Sequence, residues 1–333
     1  MNLRKCIFTG LRVLIAVAIL LFLARSGAIE WTSLGRLFTA WRLLIAAVLV
    51  MLADVIVTAA RLCVLLRPRG YHLSLWSSVR LTMIATFFST CLPGASSELV
   101  RIYFANAGNR GRQLEIGTVV ILDRVMGMLA LVALPVLIAP LFPRLIASSS
   151  IISGLLWGAA AFLAAAVAFG FAASSEHGLE LARRCFSRLP FGKEAMRMLE
   201  TVAGYRRYPG TLAGSFVISV LAHVLTVSTV LILSLAMDAG GFAWEMCALI
   251  PVGFLANILP LTPGGLGVGE SALSQLYGLA GLRGGAEALL AWRVVILFVG
   301  LIGLVFYLQG RRQVIRQVSG AESYRQAEQL STV

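Results

Sequence analysis

Long apolar runs recur along the chain from one end to the other. Each covers about 18–25 residues, the length that an α-helix needs to cross the hydrocarbon core of a bilayer. Hydrophobic residues make up 59% of the 333 residues, and charged residues only 13%. The strand alternation of an outer-membrane barrel is absent. The sequence therefore predicts an all-α polytopic membrane protein.

We predict about six full transmembrane helices, two broken re-entrant helical hairpins, and both termini in the cytoplasm. The predicted spans are Cys6–Ala24, Leu43–Leu66, Leu114–Ala139, Ile151–Ala173, Leu212–Met237 and Leu289–Leu308. A cleaved signal peptide is the alternative for the first of them. The whole chain, 1–333, is predicted to be a single integral membrane domain with two halves.

The first half, 1–173, holds a hairpin at 75–107, and the second half, 210–310, holds one at 244–280. Basic residues crowd the loop 174–209 between the halves and follow the last span in 311–333. By the positive-inside rule this loop and this tail lie in the cytoplasm. Apolar residues among the basic ones predict short amphipathic helices on the membrane surface, and a solvated loop is the alternative.

The stretch Ile258–Glu270 cannot form a continuous helix. It reads I-L-P-L-T-P-G-G-L-G-V-G-E, with two prolines, four glycines and one carboxylate between apolar runs. Proline removes a backbone donor, and glycine adopts conformations that other residues avoid. Broken backbone at membrane depth is tolerated only where protein or a water-filled cavity surrounds it. We predict that this stretch lines an internal polar site with Glu270 pointing into it; an ordinary loop outside the membrane is the alternative.

A second stretch is similar to this one. Ile84–Glu98 and Val252–Glu270 each run from an apolar helix through Leu-Pro and small residues to a glutamate. The span that follows carries an arginine in both cases, Arg124 in the first unit and Arg293 in the second. The predicted topology gives the two units opposite orientations, as in the inverted repeats of many transporters. The sequence thus predicts an inverted repeat whose broken helices meet near the bilayer midplane.

Ionisable residues within the apolar segments are the candidate site, because such groups are costly there and face partners or water. Six of them come together if the two hairpins meet: Glu98, Arg101, Asp123, Arg124, Glu270 and Arg293. Acids and arginines balance in this set, and they could hold a zwitterionic or anionic lipid headgroup. A static ion-pair network that only holds the spans together is the alternative. Arg61, two turns after Asp54, either lines the same site or snorkels to the interface.

These motifs resemble those of a flippase-like membrane family related to the transmembrane region of lysylphosphatidylglycerol synthase. The matching residues are Leu92-Pro93-Gly94 with Glu98 and Arg101, the Asp123-Arg124 pair, and Leu261–Gly267 with Glu270. Two departures are Ser96-Ser97 in place of a usual glycine and a leucine before Thr262-Pro263. The resemblance covers nearly the whole chain. It implies translocation of a lipid or lipid-linked substrate, and the short polar tail leads us to expect no aminoacyl-transfer domain.

The leading hypothesis is a lipid flippase or transporter of a bacterial-type inner membrane, with membrane lipids as partners and no nucleic acid. The predicted substrate-binding or translocation residues are Arg61, Pro93, Gly94, Glu98, Arg101, Asp123, Arg124, Pro263, Gly264, Gly265, Gly267, Glu270 and Arg293. The first alternative is a non-catalytic accessory protein that docks a lipid-modifying enzyme through the basic loop.

The second alternative is a membrane enzyme that uses paired carboxylates as acid and base on lipid headgroups. The sequence shows no nucleophile–base pair and no phosphate-binding GK[ST] loop, so we expect no enzyme activity. The three histidines are scattered and the five cysteines form no CxxC pair. We therefore expect no metal and no cofactor.

Overall fold

The computed structural model describes residues 31–91, 96–105, 112–187, 190–237, 243–257, 262 and 265–330. Every regular element in these ranges is helical, which confirms the all-α class. The helices are α1 (Trp31–Thr39), α2 (Trp41–Leu66), α3 (Leu75–Cys91), α4 (Ser96–Ala105), α5 (Gln113–Ile138), α6 (Pro143–Ser148), α7 (Ser150–Ala173), α8 (Glu176–Phe186), α9 (Gly192–Ala203), α10 (Pro209–Met237), α11 (Met246–Ala256), α12 (Val268–Leu279) and α13 (Gly285–Leu330). Short 3-10 turns follow α2, α5 and α9 at Arg67–Arg69, Ala139–Leu141 and Gly204–Arg207.

Five of the described helices are long and apolar enough to cross a membrane. They are α2, α5, α7, α10 and the part of α13 up to Gln309. Each one matches a predicted span within a few residues, although α13 continues as a helix to Leu330. The remaining predicted span, Cys6–Ala24, lies outside the described residues. The chain is therefore a multi-pass membrane protein.

Shorter helices occupy the two segments for which hairpins are predicted. The first segment contains α3 and α4, and the second contains α11 and α12. Helices α4, α11 and α12 have 10, 11 and 12 residues. At about 1.5 Å per residue, none of these three spans a hydrocarbon core of roughly 30 Å. The helices thus end and restart where the sequence predicts breaks.

Helices α2 and α10 form a central antiparallel pair. The Thr226 hydroxyl on α10 lies 3.0 Å from Asp54 Oδ2 on α2, and Arg61 Nη1 donates to Ser219 Oγ at 2.9 Å. Residue numbers therefore rise along one helix as they fall along the other. Around this pair, α3 packs on α13, and α11 packs on α5. This packing brings polar residues of α2, α5 and α10 together inside the bundle.

The basic loop contains two short helices, α8 and α9, each with charged and apolar residues on different faces. The apolar side chains of Leu181 and Phe191 are exposed. At the end of the loop, the buried Tyr205 hydroxyl donates to the carbonyl oxygen of Leu65 at 2.5 Å, and burial raises the pKa of Tyr205 to about 12. The predicted helices are confirmed, and the loop is anchored to the end of α2.

Candidate functional site

Asp123 of α5 is the centre of a buried polar cluster. Its carboxylate accepts from Arg61 Nε at 2.7 Å on Oδ1 and from Arg61 Nη2 at 3.1 Å on Oδ2. Arg101 of α4 donates from Nη1 to the same Oδ2 at 2.9 Å. Ser219 accepts from Arg61 Nη1 and donates to the carbonyl of Ser215 at 2.7 Å. Four helices, α2, α4, α5 and α10, thus contribute to a continuous hydrogen-bonded group.

This Asp123 cluster encloses more positive than negative charge. Arg61 and Arg101 are each 6% exposed, and Asp123 is completely buried. One carboxylate faces two guanidinium groups, so the three side chains together carry one excess positive charge. Arg61 does not snorkel to the interface, because every nitrogen of its guanidinium group donates within the cluster.

A more open ion pair lies next to the cluster. Arg124 Nε is 3.4 Å from Glu98 Oε1, and the two side chains are 55% and 17% exposed. Glu98 is the third residue of α4, one turn before Arg101, and Arg124 directly follows Asp123 in α5. Four of the predicted site residues are therefore neighbours, arranged as a buried Arg101–Asp123 contact beside an accessible Glu98–Arg124 contact.

Glu270 is the third residue of α12 and is completely buried. Its Oε2 accepts the backbone N–H of Gly267 at 2.7 Å, which caps the start of the helix. Gly267 has a φ of 82°, a conformation that favours glycine. Arg293 of α13 donates from Nε to Oε1 and, at 3.3 Å, from Nη2 to Oε2. Arg293 Nη2 also donates to Asn257 Oδ1 at 3.1 Å, which links α13 to the end of α11.

The remaining predicted site residues belong to the two breaks. Gly265 has a φ of 71° and lies directly against Asn257. Pro93, Gly94, Pro263 and Gly264 lie outside the described residues.

The sequence prediction omits Ser219, His223 and Asn257. The His223 Nε2–H donates to the carbonyl of Gly127 at 2.8 Å, one turn along α10 from Ser219. Ser215, Ser219, His223 and Thr226 recur at spacings of three or four residues along a largely apolar helix. This periodicity places them on one face and is the signal that identifies α10 as part of the site.

Asp54 makes a separate contact with the hydroxyl group of Thr226. Thr226 Oγ lies 3.0 Å from Asp54 Oδ2 and 3.2 Å from the carbonyl oxygen of Ala222. A hydroxyl has a single hydrogen, so it cannot donate fully to two acceptors. If Asp54 carries a proton, the carboxylic acid donates to Thr226, which donates to Ala222. Both short distances are then true hydrogen bonds.

We therefore expect Asp54→Asn to change the free energy of unfolding by less than about 1 kcal/mol, since an amide replaces the acid as a neutral donor. The measurement is SDS-induced unfolding in mixed micelles, followed by circular dichroism. Asp54→Leu is the comparison, because it leaves Thr226 without this partner. A loss above about 2 kcal/mol in Asp54→Asn would show that the native group is an ionised acceptor.

Long apolar spans and buried ion pairs between them define a multi-pass α-helical membrane protein with a charged interior. The chain belongs to the lysylphosphatidylglycerol synthase TM region family, whose sequence profile matches residues 10–315. The match includes both motifs and all five described spans. The family resemblance of the motifs is thus confirmed. No curated protein and no solved structure matches the chain.

Proposed function

We propose that this protein moves a phospholipid or lipid-linked substrate across the cell inner membrane through its charged interior. The observation that carries the proposal is a repeated glutamate–arginine contact. In each half a glutamate is the third residue of a short helix and pairs with an arginine of the next spanning helix. Charged groups at membrane depth are costly, and they line substrate paths in many transporters. The family supports a lipid substrate, since its name is that of a phospholipid-modifying enzyme.

The helix contacts support an inverted repeat in which α2–α5 correspond to α10–α13. A twofold relation that exchanges the halves converts the α3–α13 contact into an α11–α5 contact, and both occur. Asp54 and Thr226 are 172 residues apart and touch each other. Glu98 and Glu270 have the same separation in the chain. Equivalent residues can touch only near the twofold axis, so we propose that the axis passes between α2 and α10.

The helix directions support re-entrant hairpins. Arg61 hydrogen-bonds both Asp123 of α5 and Ser219 of α10, and one turn further along both helices Gly127 contacts His223. Helix α5 therefore runs parallel to α10. Because α10 is antiparallel to α2, α5 is antiparallel to α2 as well. The segment between α2 and α5 therefore returns the chain to the side from which it left. With only 10 residues in α4, a hairpin that turns back within the membrane accounts for this return.

Basic residues support the proposed orientation. Arg69, after α2, lies 3.6 Å from Glu115 at the start of α5, and the basic loop is anchored to the same end through Tyr205. The positive-inside rule assigns this end to the cytoplasm. The first hairpin then enters from the cytoplasm and the second from outside, and both termini are proposed to be cytoplasmic.

We propose transport in preference to catalysis. Both oxygens of Glu270 accept from Arg293, and Oε2 also accepts from Gly267. A carboxylate that accepts hydrogen bonds from the protein on both oxygens is poorly placed to take a proton from a substrate. The same contacts suit a site that must break and reform ion pairs as a charged headgroup passes.

Translocation should depend on Glu270. We expect Glu270→Gln to slow the movement of labelled lipid between leaflets at least about tenfold, because the amide leaves Arg293 buried without its anion. The measurement uses purified protein in liposomes that carry headgroup-labelled anionic, zwitterionic, aminoacylated or glycosylated lipids. Arrival of label at the opposite leaflet is followed over time.

Glu180→Gln is the matched control. Glu180 is an exposed glutamate of α8 that also pairs with an arginine, Arg184, but outside the membrane spans. Wild-type rates are expected for this variant. If no lipid moves even with the wild-type protein, the transporter proposal is wrong. The accessory role then becomes the better account, with the exposed apolar residues of the basic loop as the docking surface.

A further inference from the structure

Three arginines of the charged interior differ in how they use one edge of the guanidinium group. The Nε and Nη2 hydrogens point in the same direction and match two oxygens of a carboxylate or phosphate. Arg61 uses this edge on Asp123, and Arg293 uses it on Glu270. Arg101 instead reaches Asp123 through Nη1. In the described part of the chain, Arg101 Nε and Nη2 have no hydrogen-bond partner.

The Nε–Nη2 edge of Arg101 is buried although neither nitrogen makes a hydrogen bond, which is unusual for a charged group. The residue is 6% exposed, and both nitrogens are inaccessible to water in this conformation. Buried donors are nearly always paired, because an unmade hydrogen bond in a low-dielectric interior costs free energy. Two adjacent orphaned donors on a charged group therefore indicate a partner that is not part of the protein.

The charge of the surroundings indicates the sign of that partner. Asp123 is shared by two arginines, so among the described residues one positive charge of the Asp123 cluster has no carboxylate of its own. The neighbouring Glu98–Arg124 pair is neutral and cannot supply the missing anion. A buried cation without a counter-charge is strongly unfavourable. The site therefore favours an anion with two oxygens on one atom.

We propose that the Nε–Nη2 edge of Arg101 binds the phosphate group of a phospholipid, with Asp123 and Arg61 as positioning residues. The inference rests on the proposed function, because it identifies one headgroup contact on the translocation path. Arg293 has the same edge filled by Glu270, so the phosphate binds in the first half alone.

The exterior of α4 and α5 favours a lipid as the source of the phosphate. Leu99 and Tyr103 of α4 and Val125 of α5 are exposed apolar side chains. In a bilayer they contact acyl chains, while Arg101 on α4 faces inward to Asp123. An amphiphile can place its phosphate at Arg101 and leave its chains in the surrounding lipid. Inorganic phosphate would gain only the first of these contacts.

The test measures binding of short-chain phosphatidylglycerol to the purified full chain in a neutral detergent. Diacylglycerol with the same chains lacks the phosphate, and inorganic phosphate lacks the chains. Wild-type protein is expected to bind phosphatidylglycerol at least about tenfold more tightly than either comparison, as one or two charge-assisted hydrogen bonds predict. Similar affinities for phosphatidylglycerol and diacylglycerol would overturn the proposal without the need for any variant.

Two variants locate the site. Arg101→Gln removes the charge and should weaken phosphatidylglycerol binding about 10- to 100-fold. Arg101→Lys keeps a cation for Asp123 but lacks the two-donor edge, so it should fold and still bind less tightly than wild type. Arg80→Gln is the matched control. Within the described part of the chain, Arg80 also has a buried Nε without a hydrogen-bond partner, but it stacks on Trp76 and Phe306 outside the cluster. Its affinity should equal that of wild type.

The outcomes separate this site from transport itself. Unchanged binding in both Arg101 variants would overturn the phosphate site even if the protein moves lipid. Competition by inorganic phosphate as strong as by phosphatidylglycerol would overturn the lipid source. Binding that depends on Arg101, together with no lipid movement by wild-type protein, would instead overturn the proposed function and leave the phosphate site intact.

Discussion

Asp123→Asn is expected to destabilise the folded protein by about 3–5 kcal/mol, the usual result of removing one partner from a buried ion pair. Asp123 is the carboxylate that both Arg61 and Arg101 contact, and all three side chains are buried. Asparagine retains the shape but not the charge, so two guanidinium groups remain in the interior without an anion. SDS-induced unfolding in mixed micelles measures the difference.

Asp54→Asn is the comparison, because it makes the same substitution in another span where hydroxyl groups are the hydrogen-bond partners. The informative quantity is the difference between the losses in the free energy of unfolding that the two substitutions cause. Replacing Arg61, Arg101 and Asp123 together by apolar residues should recover much of the lost stability, since burial of charge is then avoided. A loss below about 1 kcal/mol in Asp123→Asn would mean that water or another anion compensates the arginines.

Gly303→Ala is expected to destabilise the protein by about 3 kcal/mol, at the upper end of the cost of overpacking. A Cβ at Gly303 of α13 would lie 2.1 Å from the carbonyl oxygen of Met83 on α3. At Gly300, one turn earlier, it would lie 3.3 Å from the Cα of Phe87. Both obstacles are backbone atoms, which no rotamer change can move, so the two helices must separate. Small residues that permit close helix contact are a common device in membranes.

Gly158→Ala is the control for this effect. Gly158 lies in α7, and a Cβ there has no atom within 4 Å. Both variants gain the same helix propensity, so only the contact with α3 distinguishes them. If Gly303→Ala unfolds at the same SDS fraction as Gly158→Ala, the close approach of α3 and α13 does not exist in the folded protein. Transport should fall with stability, because α3 belongs to the first proposed hairpin.

Local features of the sequence were sufficient to predict the positions of the helices. The apolar runs predicted five described spans within a few residues, and the glycine- and proline-rich stretch placed the start of α12 near Glu270. These features depend on the length of a run and on the backbone preferences of single residues, which neighbours in the chain decide. Charges within the spans were visible for the same reason, since each stands out against an apolar background.

Residues of α10 and α11 were not recognised, because each has a modest polar side chain. Ser219, His223 and Asn257 resemble the tolerated polar residues of many membrane helices. Their roles depend on hydrogen bonds to Arg61, Gly127 and Arg293, which are far from them in the chain. Only the spacing along α10 pointed to a shared face.

The sequence by itself determined that this chain spans a membrane, where its helices break, and which charged residues lie among the apolar ones. The tertiary structure decided the partners. It joined Asp123 to two arginines instead of one, paired Glu98 with Arg124 in a more exposed position, and enclosed Glu270 with Arg293. Pairing of charges depends on how α2, α4, α5 and α10 pack, and Arg61 and Ser219, which are 158 residues apart in the chain, meet there. The excess charge at Arg101 arises from that packing, because a balanced count of acids and arginines does not reveal which of them share a partner.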